Sequence, residues 1–485
     1  MIRSNNVVNA SPRFSVLSRS QVEEMHAGTL EVLRRTGVKV LLPEAREMLA
    51  RAGCWVDGEV VRFPAHLVEW AVRTAPSRIV LCNRQGQPAM DLTGYNCYFG
   101  TGSDCPNVMD LDTGERREGR LQDVIDFARL VDALPNLDFH MCMAIARELP
   151  QATSDIHHFE AMVSNTTKPI CYTAWSLENL KEIVEICEVI AGGAEAFRRS
   201  PSAILYTEPV SPLQHIDLGA GKLIYMARKG LPVVYTPGMT FGAVAPVTSA
   251  GGLLVANAEL LSGLVIAQLA REGAPFVYGG GVAIMDMRTM GVSYASPEFL
   301  INMAALCDLG RYYQLPVFSF GACSDSKLFD QQAALEGALW TMVTTLAGGN
   351  MSHDVGYIDS GLTSSMEMTV MGDEVIGMVR RFMRGIEVSD ETMALDVIDR
   401  VGPGGHFLGE DHTLRHHRQS NWVPTLIDRN NYDMWKTSGA RTYGERANAR
   451  AHRILETHQP LPLPDEIRAA VRAIVQRADA RNGIG

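Results

Sequence analysis

The feature that most constrains the fold is an alternation between about residues 96 and 370. Short apolar, β-branched segments there are separated by longer amphipathic helical segments. The predicted strands cover residues 96–100, 138–145, 169–174, 203–207, 232–236, 275–279, 316–320 and 350–355. Eight strand–helix units are the number that closes a (β/α)8 barrel. The sequence therefore predicts an α/β fold, a TIM barrel.

The chain is longer than such a barrel needs. It has 485 residues, whereas a (β/α)8 barrel takes about 250. We expect a helical and hairpin addition over residues 1–95, the barrel over 96–384, and a mainly helical addition over 385–485. The predicted helix at 253–269 is apolar on most sides, so we expect it to lie beneath an added domain rather than at a subunit interface.

Composition limits the partners and the compartment. The formal net charge is −11, and without a basic stripe this argues against nucleic-acid binding. The nine cysteines include no C-x-x-C pair, which is typical of a reducing compartment. Residues 1–19 lack an apolar leader, and no stretch has about 18 uninterrupted apolar residues. We therefore expect a cytoplasmic protein that does not span a membrane.

The site candidates follow from the barrel. Active sites of these barrels lie at the carboxyl ends of the strands. The polar or aromatic residues at or just past those ends are Asp104, Trp175, Glu208, Asp325 and His353. The aromatic residues near the strand ends are Tyr98, Phe99, Trp175, Tyr206, Tyr235, Phe241, Phe318, Phe320 and Tyr357. Aromatic rings in strands usually pack in the core, but beside a carboxylate they could hold a quaternary ammonium.

Two further sequence patterns bear on metal binding and on nucleophilic catalysis. His412 and His416 are spaced i, i+4, which would place both imidazoles on one face of a helix, as in zinc sites. There is no H-E-x-x-H motif, and the favoured interpretation is a polar helix start with Asp411 as its N-cap. No metal site is therefore predicted. The absence of a G-x-S-x-G motif makes acyl transfer an unfavourable interpretation.

Short sequence motifs spread along the chain resemble those of one known family. The sharpest include Gly-Ala-Val-Ala-Pro-Val-Thr at 242–248 and Ser-Asp-Ser-Lys at 324–327. Others lie at 211–213, 257–259, 273–275, 278–279, 296–298, 330–333, 405–407, 412–414, 422–424, 428–429, 445–447 and 454–455. Together they resemble the trimethylamine methyltransferase superfamily, the corrinoid-dependent enzymes that demethylate trimethylated amines. The likeness runs from about residue 10 to the C-terminus.

This resemblance implies a reaction and a partner. The barrel would move a methyl group from a quaternary or tertiary amine to the Co(I) of a separate corrinoid protein docked at its mouth. The cobalamin would belong to that partner, and no tightly bound cofactor or metal is expected in this chain. One branch of the family carries pyrrolysine, near 324–332. This chain has only standard residues, so it is similar to the branch that acts on glycine betaine and related betaines. A homo-oligomer is also expected.

The resemblance gives the candidates roles. Glu208 would be the counter-charge of the ammonium, and His353, or backbone amides near 238–241, would hold the carboxylate of a betaine. The expected substrate-binding residues are Tyr98, Phe99, Trp175, Tyr206, Tyr235, Phe241, Phe318, Tyr357 and Asp104. A neutral amine leaves without help from a general acid. Two alternatives stay open: a lyase or hydrolase that uses His353 and Glu208, and a betaine-binding protein without turnover.

Overall fold

The computed structural model describes residues 11–484, so the part of the leader prediction that concerns residues 1–10 lies outside the described residues. Seven short strands form one parallel sheet, and the last strand pairs with the first. In chain order they are Tyr98–Phe99, Ile170–Tyr172, Ala203–Thr207, Val233–Tyr235, Phe276–Gly279, Val317–Phe320 and Met351–His353.

Residues 139–140 occupy the second of the eight barrel positions and close the ring. They are joined to the first strand by the bridge Gly100–Phe139 and to the third by the bridge His140–Ile170. The predicted (β/α)8 barrel is thus confirmed, but the long strand predicted at 138–145 is wrong. Beyond His140, the Met141 amide donates to the Thr101 hydroxyl. The Ile145 amide donates to the carbonyl of Cys105. These backbone groups are satisfied by loops, so they form no sheet ladder.

One long helix follows each barrel position, as the alternation in the sequence predicts, and a short second helix, Ala194–Arg199, follows the third position. The eight long helices are Leu121–Ala133, Ser154–Asn165, Leu177–Ala191, Asp217–Lys229, Ser249–Ala270, Pro297–Tyr313, Gln331–Ala347 and Met366–Met383. Shorter strands stand on the loops at the carboxyl end. They form one small sheet from Gly238–Phe241, Gly281–Asp286 and Gly291–Val292, and a second from Tyr357–Ile358, Thr363–Ser364, Asn107–Met109 and Arg116–Glu118.

The barrel interior is filled with side chains. A buried cluster contains residues from all eight positions, among them Phe139, Ile204, Val277 and Met351. The antiparallel hairpin of Ile79–Cys82 and Pro88–Leu92 packs four side chains into the same cluster. It lies at the amino end, since the Cys82 amide donates to the Pro201 carbonyl just before the fourth strand. With the hairpin packed against the amino end, we expect the chemistry at the carboxyl end, as in other barrels of this type.

The N-terminal addition covers one side of the barrel. It consists of the helices Arg19–Arg35, Pro43–Arg51 and Ala65–Thr74 and the strands Val38–Val40, Trp55–Asp57 and Val60–Arg62. All three of these helices pack on Ser249–Ala270. That barrel helix is long and apolar enough to cross a membrane, but 78% of its most apolar window is buried inside the protein. Its apolar character is therefore explained by burial beneath the addition.

The C-terminal addition wraps the outer wall of the barrel. Its helices are Asp390–Met393, Leu395–Val401, Asp411–Ser420, Tyr432–Thr437, Tyr443–Thr457 and Asp465–Arg481. Tyr443–Thr457 packs on Met366–Met383 and Leu121–Ala133, and the last helix packs on Leu177–Ala191 and Ser154–Asn165.

The hairpin floor gives a first prediction. Leu81 is fully buried in the interior cluster, so Leu81→Ala should lower the free energy of unfolding by about 3 kcal/mol through lost contacts and a residual cavity. The matched control is Leu408→Ala, because Leu408 is 88% exposed and its loss should change stability by less than about 0.5 kcal/mol. Urea denaturation followed by circular dichroism measures both, and equal midpoints for the two variants would contradict the packed floor.

Candidate functional site at the barrel mouth

An aromatic cluster forms around His353 at the open end of the barrel. The His353 ring stacks on Phe318 with centroids 4.2 Å apart, and Phe320 approaches it at 4.5 Å. The Tyr206 ring lies 6.3 Å from the imidazole and 5.7 Å from Phe318. These four side chains come from the fourth, seventh and eighth strands. The closed sheet therefore brings together Tyr206, Phe318 and His353, which are far apart in sequence.

The ring nitrogens of His353 are buried and lack hydrogen-bond partners among the described residues. Nδ1 lies 2.6 Å from Asp354 Oδ1, which is ion-pair distance without hydrogen-bond alignment. Asp354 itself adopts a left-handed backbone with φ of 71°. Buried polar groups normally find partners, and strained backbone at a strand end is typical of binding sites.

Glu208 places a carboxylate at the same end of the barrel. Its side chain is solvent-accessible but lies in a recess. Surrounding protein raises the pKa of this carboxyl, against the opposing charge of Lys222 and a hydrogen bond from Tyr206. The Tyr206 hydroxyl donates to Glu208 Oε2 over a long 3.5 Å. Lys222 is buried, and its Nζ donates to the Ala174 carbonyl at 2.8 Å. Glu208 thus has no short ion pair to compensate its charge among the described residues.

A second recess contains two more carboxylates. The Thr173 hydroxyl donates to Asp104 at 2.8 Å, and the backbone amide of Trp175 donates to Asp155 at 2.7 Å. The Trp175 indole donates to the Ser154 hydroxyl. Burial raises the pKa of Asp104 to about 6, with a contribution from the negative charge of Asp155, and burial also raises the pKa of Asp155 to about 6. These groups share the mouth but do not contact the His353 cluster.

The second recess fits a metal ion poorly. Ligand atoms of Asp104, Cys142 and His158 lie within 4.8 Å of one another. However, His158 Nε2 accepts a hydrogen bond from the Ala146 amide, which leaves the proton of the neutral ring on Nδ1. Burial raises the pKa of the Cys142 thiol well above its ordinary value, and the thiol donates to the Ala144 carbonyl. A metal needs a free imidazole lone pair and a thiolate.

An apolar cavity of about 380 Å³ opens beside the His353 cluster. Such a volume is within the range of small-molecule sites. Its wall contains Met239, Tyr294 and Phe299, which the sequence analysis did not single out, together with Phe320. Tyr294 and Phe299 meet Phe320 edge-on at 6.1 and 4.8 Å. They were missed because they follow the sixth strand by many residues, in a loop and a helix start.

Asp325 connects loops instead of facing the cavity. It accepts hydrogen bonds from the Ser293 hydroxyl, the Tyr294 amide and the Ser360 hydroxyl, at 2.6 to 2.7 Å. These partners follow the sixth and eighth strands, so one carboxylate fixes two walls of the mouth. The side chain of Lys327 is exposed and donates to the Asp325 carbonyl.

Besides Asp104 and Trp175 in the second recess, five more predicted substrate-binding residues do not join the cluster. Tyr98 packs in the barrel interior, whereas Phe99, the next residue, faces outward near Arg380. Tyr235 also faces outward, and its hydroxyl lies 2.7 Å from His215 Nδ1. The remaining two are Phe241, beside Gly252 of helix Ser249–Ala270, and Tyr357, whose hydroxyl donates to the Ser103 carbonyl. Side chains alternate along a strand, so proximity in sequence to a strand end did not determine direction.

Comparison with known proteins decides the family. A model of the family described as "Trimethylamine methyltransferase (MTTB)" matches residues 2–483. The chain belongs to the trimethylamine methyltransferase family. It is therefore an enzyme of the methyltransferase class, and the family confirms the resemblance found in the sequence.

Curated relatives are similar over nearly their whole length. The chain is 34% identical to the trimethylamine methyltransferase MttB of Desulfitobacterium hafniense over 470 residues, covering 96% of this chain and 94% of that protein. It is 32% identical to a glycine betaine methyltransferase of Desulfitobacterium hafniense over 468 residues, covering 96% and 97%. Two relatives with different named substrates thus stand at nearly equal distance, so identity alone does not choose between them.

A solved structure supports the fold. The monomethylamine methyltransferase MtmB of Methanosarcina barkeri superimposes with a TM-score of 0.50 at 12% identity, covering 92% of this chain and 88% of that chain. At this identity the likeness is evidence for the fold alone.

The pKa of Asp104 gives a second prediction. The pKa of the Asp104 carboxyl rises from 3.8 in the unfolded chain to about 6 in the folded chain. As the pH rises between these two values, the unfolded state releases its proton first, so the protein becomes less stable. Asp104→Asn should therefore stabilise the protein by about 1–2 kcal/mol at pH 8 and by little at pH 4. Urea denaturation at several pH values measures the difference.

The control for this pH effect is Asp112→Asn. The Asp112 side chain is 82% exposed, so its replacement should shift stability little and without this pH dependence. A gain for Asp104→Asn that stays constant from pH 4 to pH 8 would contradict a buried, titrating carboxyl.

Proposed function

We propose that this methyltransferase moves a methyl group from a quaternary amine of the betaine class to the Co(I) of a separate corrinoid protein. The observation that carries the proposal is the cluster of Tyr206, Phe318, Phe320 and His353 beside the Glu208 carboxylate, in a chain of this family. Relatives named for trimethylamine and for glycine betaine support a trimethylated amine as the substrate.

The cluster suits a quaternary ammonium for two reasons. Aromatic faces attract a desolvated cation with about 2 kcal/mol or more, and the rings of Tyr206, Phe318 and Phe320 lie together around His353. Glu208 adds Coulomb attraction, which at about 4 Å and an effective dielectric of 20 amounts to roughly 4 kcal/mol before desolvation costs. A quaternary ammonium offers no N–H group, so hydrogen-bond acceptors cannot replace these interactions.

The unpartnered nitrogens of His353 supply a polar end to the site. A neutral imidazole carries one N–H donor, which can bind the carboxylate of a betaine. The amino ends of the barrel helices also point to this mouth and favour an anion. The ammonium and the carboxylate of a betaine would thus be held by different groups, and the N-methyl bond would be oriented by both.

The chemistry requires orientation more than proton transfer. The corrinoid supplies the electron pair for the new cobalt–carbon bond, while the pair of the broken N–methyl bond stays on the departing amine. That amine leaves neutral, so the enzyme needs no general acid. The aromatic wall excludes water and fixes the methyl group toward the opening.

An apolar rim supports docking of the corrinoid protein at the mouth. Exposed apolar side chains follow the carboxyl ends of the fourth to eighth strands. They are Val210, Val247, Met287, Met290, Leu328 and Leu362, each between 41% and 67% exposed. Exposed apolar groups that collect around one opening mark protein interaction surfaces. The rim therefore fits a partner that must bring its cobalt to the cluster.

Exposed apolar side chains elsewhere on the surface also support a homo-oligomer. A second set of exposed apolar side chains, including Ile386, Val388, Leu395 and Leu414, lies on the C-terminal addition. We assign this set to contact with another copy of the chain.

The cysteines support a location in a reducing cytoplasm. All nine cysteines are buried free thiols, which suits a compartment that keeps thiols reduced.

The central test is methyl transfer itself. Purified protein with chemically reduced Co(I) cobalamin, or with a corrinoid protein, should form methylcobalamin from a trimethylated betaine, seen in the visible spectrum. The panel is glycine betaine, proline betaine, carnitine, choline and trimethylamine. Betaine binding in a thermal-shift assay without methyl transfer to either acceptor would favour the non-catalytic binder. Transfer from trimethylamine alone would contradict the betaine class.

A further prediction concerns the charge of Glu208. Glu208→Gln keeps the shape of the side chain but removes its charge, so kcat/KM for the cationic substrate should fall about 10- to 100-fold, the equivalent of roughly 1.4–3 kcal/mol. Glu195→Gln is the matched control, because Glu195 is 62% exposed and pairs with Arg198 on the outer surface. Equal activity in both variants would remove Glu208 from the site.

A further inference from the structure

We propose that Glu391, His412 and His416 form a binding site for a divalent transition-metal ion of the zinc type. One ligand atom from each of the three side chains lies within 4.8 Å of the other two. The site is on the C-terminal addition, and the proposed methyl transfer does not use it. The inference therefore stands independently of the proposed function.

The geometry comes from two helices. Helix Asp411–Ser420 places His412 and His416 one turn apart on one face, with ring centroids 4.4 Å apart. Glu391 enters from helix Asp390–Met393, and its Oε1 lies 2.8 Å from His416 Nε2. His412 Nε2 lies 3.1 Å from the main-chain oxygen of Glu391. The i, i+4 histidine pair was visible in the sequence, but the carboxylate that completes the set was not.

The donor set selects the metal. Two imidazole nitrogens and one carboxylate oxygen suit Zn²⁺, and also Co²⁺, Ni²⁺ or Cu²⁺, whereas Mg²⁺ and Ca²⁺ prefer oxygen ligands alone. Three protein ligands leave a fourth tetrahedral position for water. Both imidazoles are half-buried, so the ion would be reached from solvent.

One neighbouring cation competes for the carboxylate. Arg415 Nη1 lies 3.1 Å from Glu391 Oε1, and the Arg415 side chain is 61% exposed. Exposed ion pairs are weak, so a metal would displace this guanidinium at small cost. Nearby Asp390 and Asp411 add negative charge at the starts of the two helices.

The local packing explains what a metal would do here. Neither of the two helices that supply the ligands contains a buried residue. Short helices without a packed face gain little stability from the hydrophobic core. A metal bound between them would cross-link the two helices and supply the stability that packing does not provide.

The test is zinc binding to the full chain after removal of metals with EDTA. Equilibrium dialysis followed by elemental analysis should show one equivalent of Zn²⁺ that the double variant His412→Ala/His416→Ala loses. Glu391→Gln, which changes almost no volume, should weaken binding at least about tenfold, since even outer-shell groups contribute that much. His417→Ala is the matched control, because His417 lies on the same helix outside the cluster, against the carbonyls of Thr413 and Leu414.

Two results would overturn the site. One is wild-type stoichiometry in the double variant, which would place the zinc elsewhere, for example at Asp104, Cys142 and His158. The other is the absence of bound zinc in the wild type at about 100 μM free metal, a concentration well above the dissociation constants of structural zinc sites. Far-UV circular dichroism identifies any variant that fails to fold, and Glu391→Gln then decides.

Discussion

The closed parallel sheet is the constraint on which the rest of the structure depends. Its backbone hydrogen bonds fix eight strand positions in a ring, so every carboxyl end opens on the same side. The interior is filled and the amino end is closed by the hairpin of Ile79–Cys82 and Pro88–Leu92. Residues as distant in sequence as Tyr206 and His353 therefore meet at one opening, while the helices added at both ends of the chain cover the outer wall.

Within that opening, charge and hydrogen bonding are divided between two recesses. One joins aromatic rings, the unpartnered imidazole of His353 and the carboxylate of Glu208. The other contains Asp104 and Asp155, whose pKa values are raised to about 6 and which are largely satisfied by neighbouring donors. Of the two, the first recess would suit a cation, since its carboxylate has no short ion pair among the described residues and aromatic rings lie beside it.

The barrel and its order of elements could be predicted from sequence, because apolar runs and 3.6-residue periodicity report burial directly. The site could be predicted only in part. Tyr206, Phe318, Glu208 and His353 lie where strand ends were expected, but Tyr98, Phe99 and Tyr235 face other directions. Tyr294 and Phe299 reach the cavity from a loop and a helix start after the sixth strand. Side-chain direction depends on register and on loop paths, which local patterns do not specify.

By itself, then, the sequence determined the barrel and the family, because burial periodicity and family-specific motifs are local properties of the chain. Only the tertiary structure decided which polar groups lack partners, which carboxylates are desolvated, and which side chain completes the pair His412 and His416. Glu391 lies 21 residues before His412, and nothing in the intervening sequence announces their contact. Such contacts depend on how separate elements pack, and packing is a property of the whole fold.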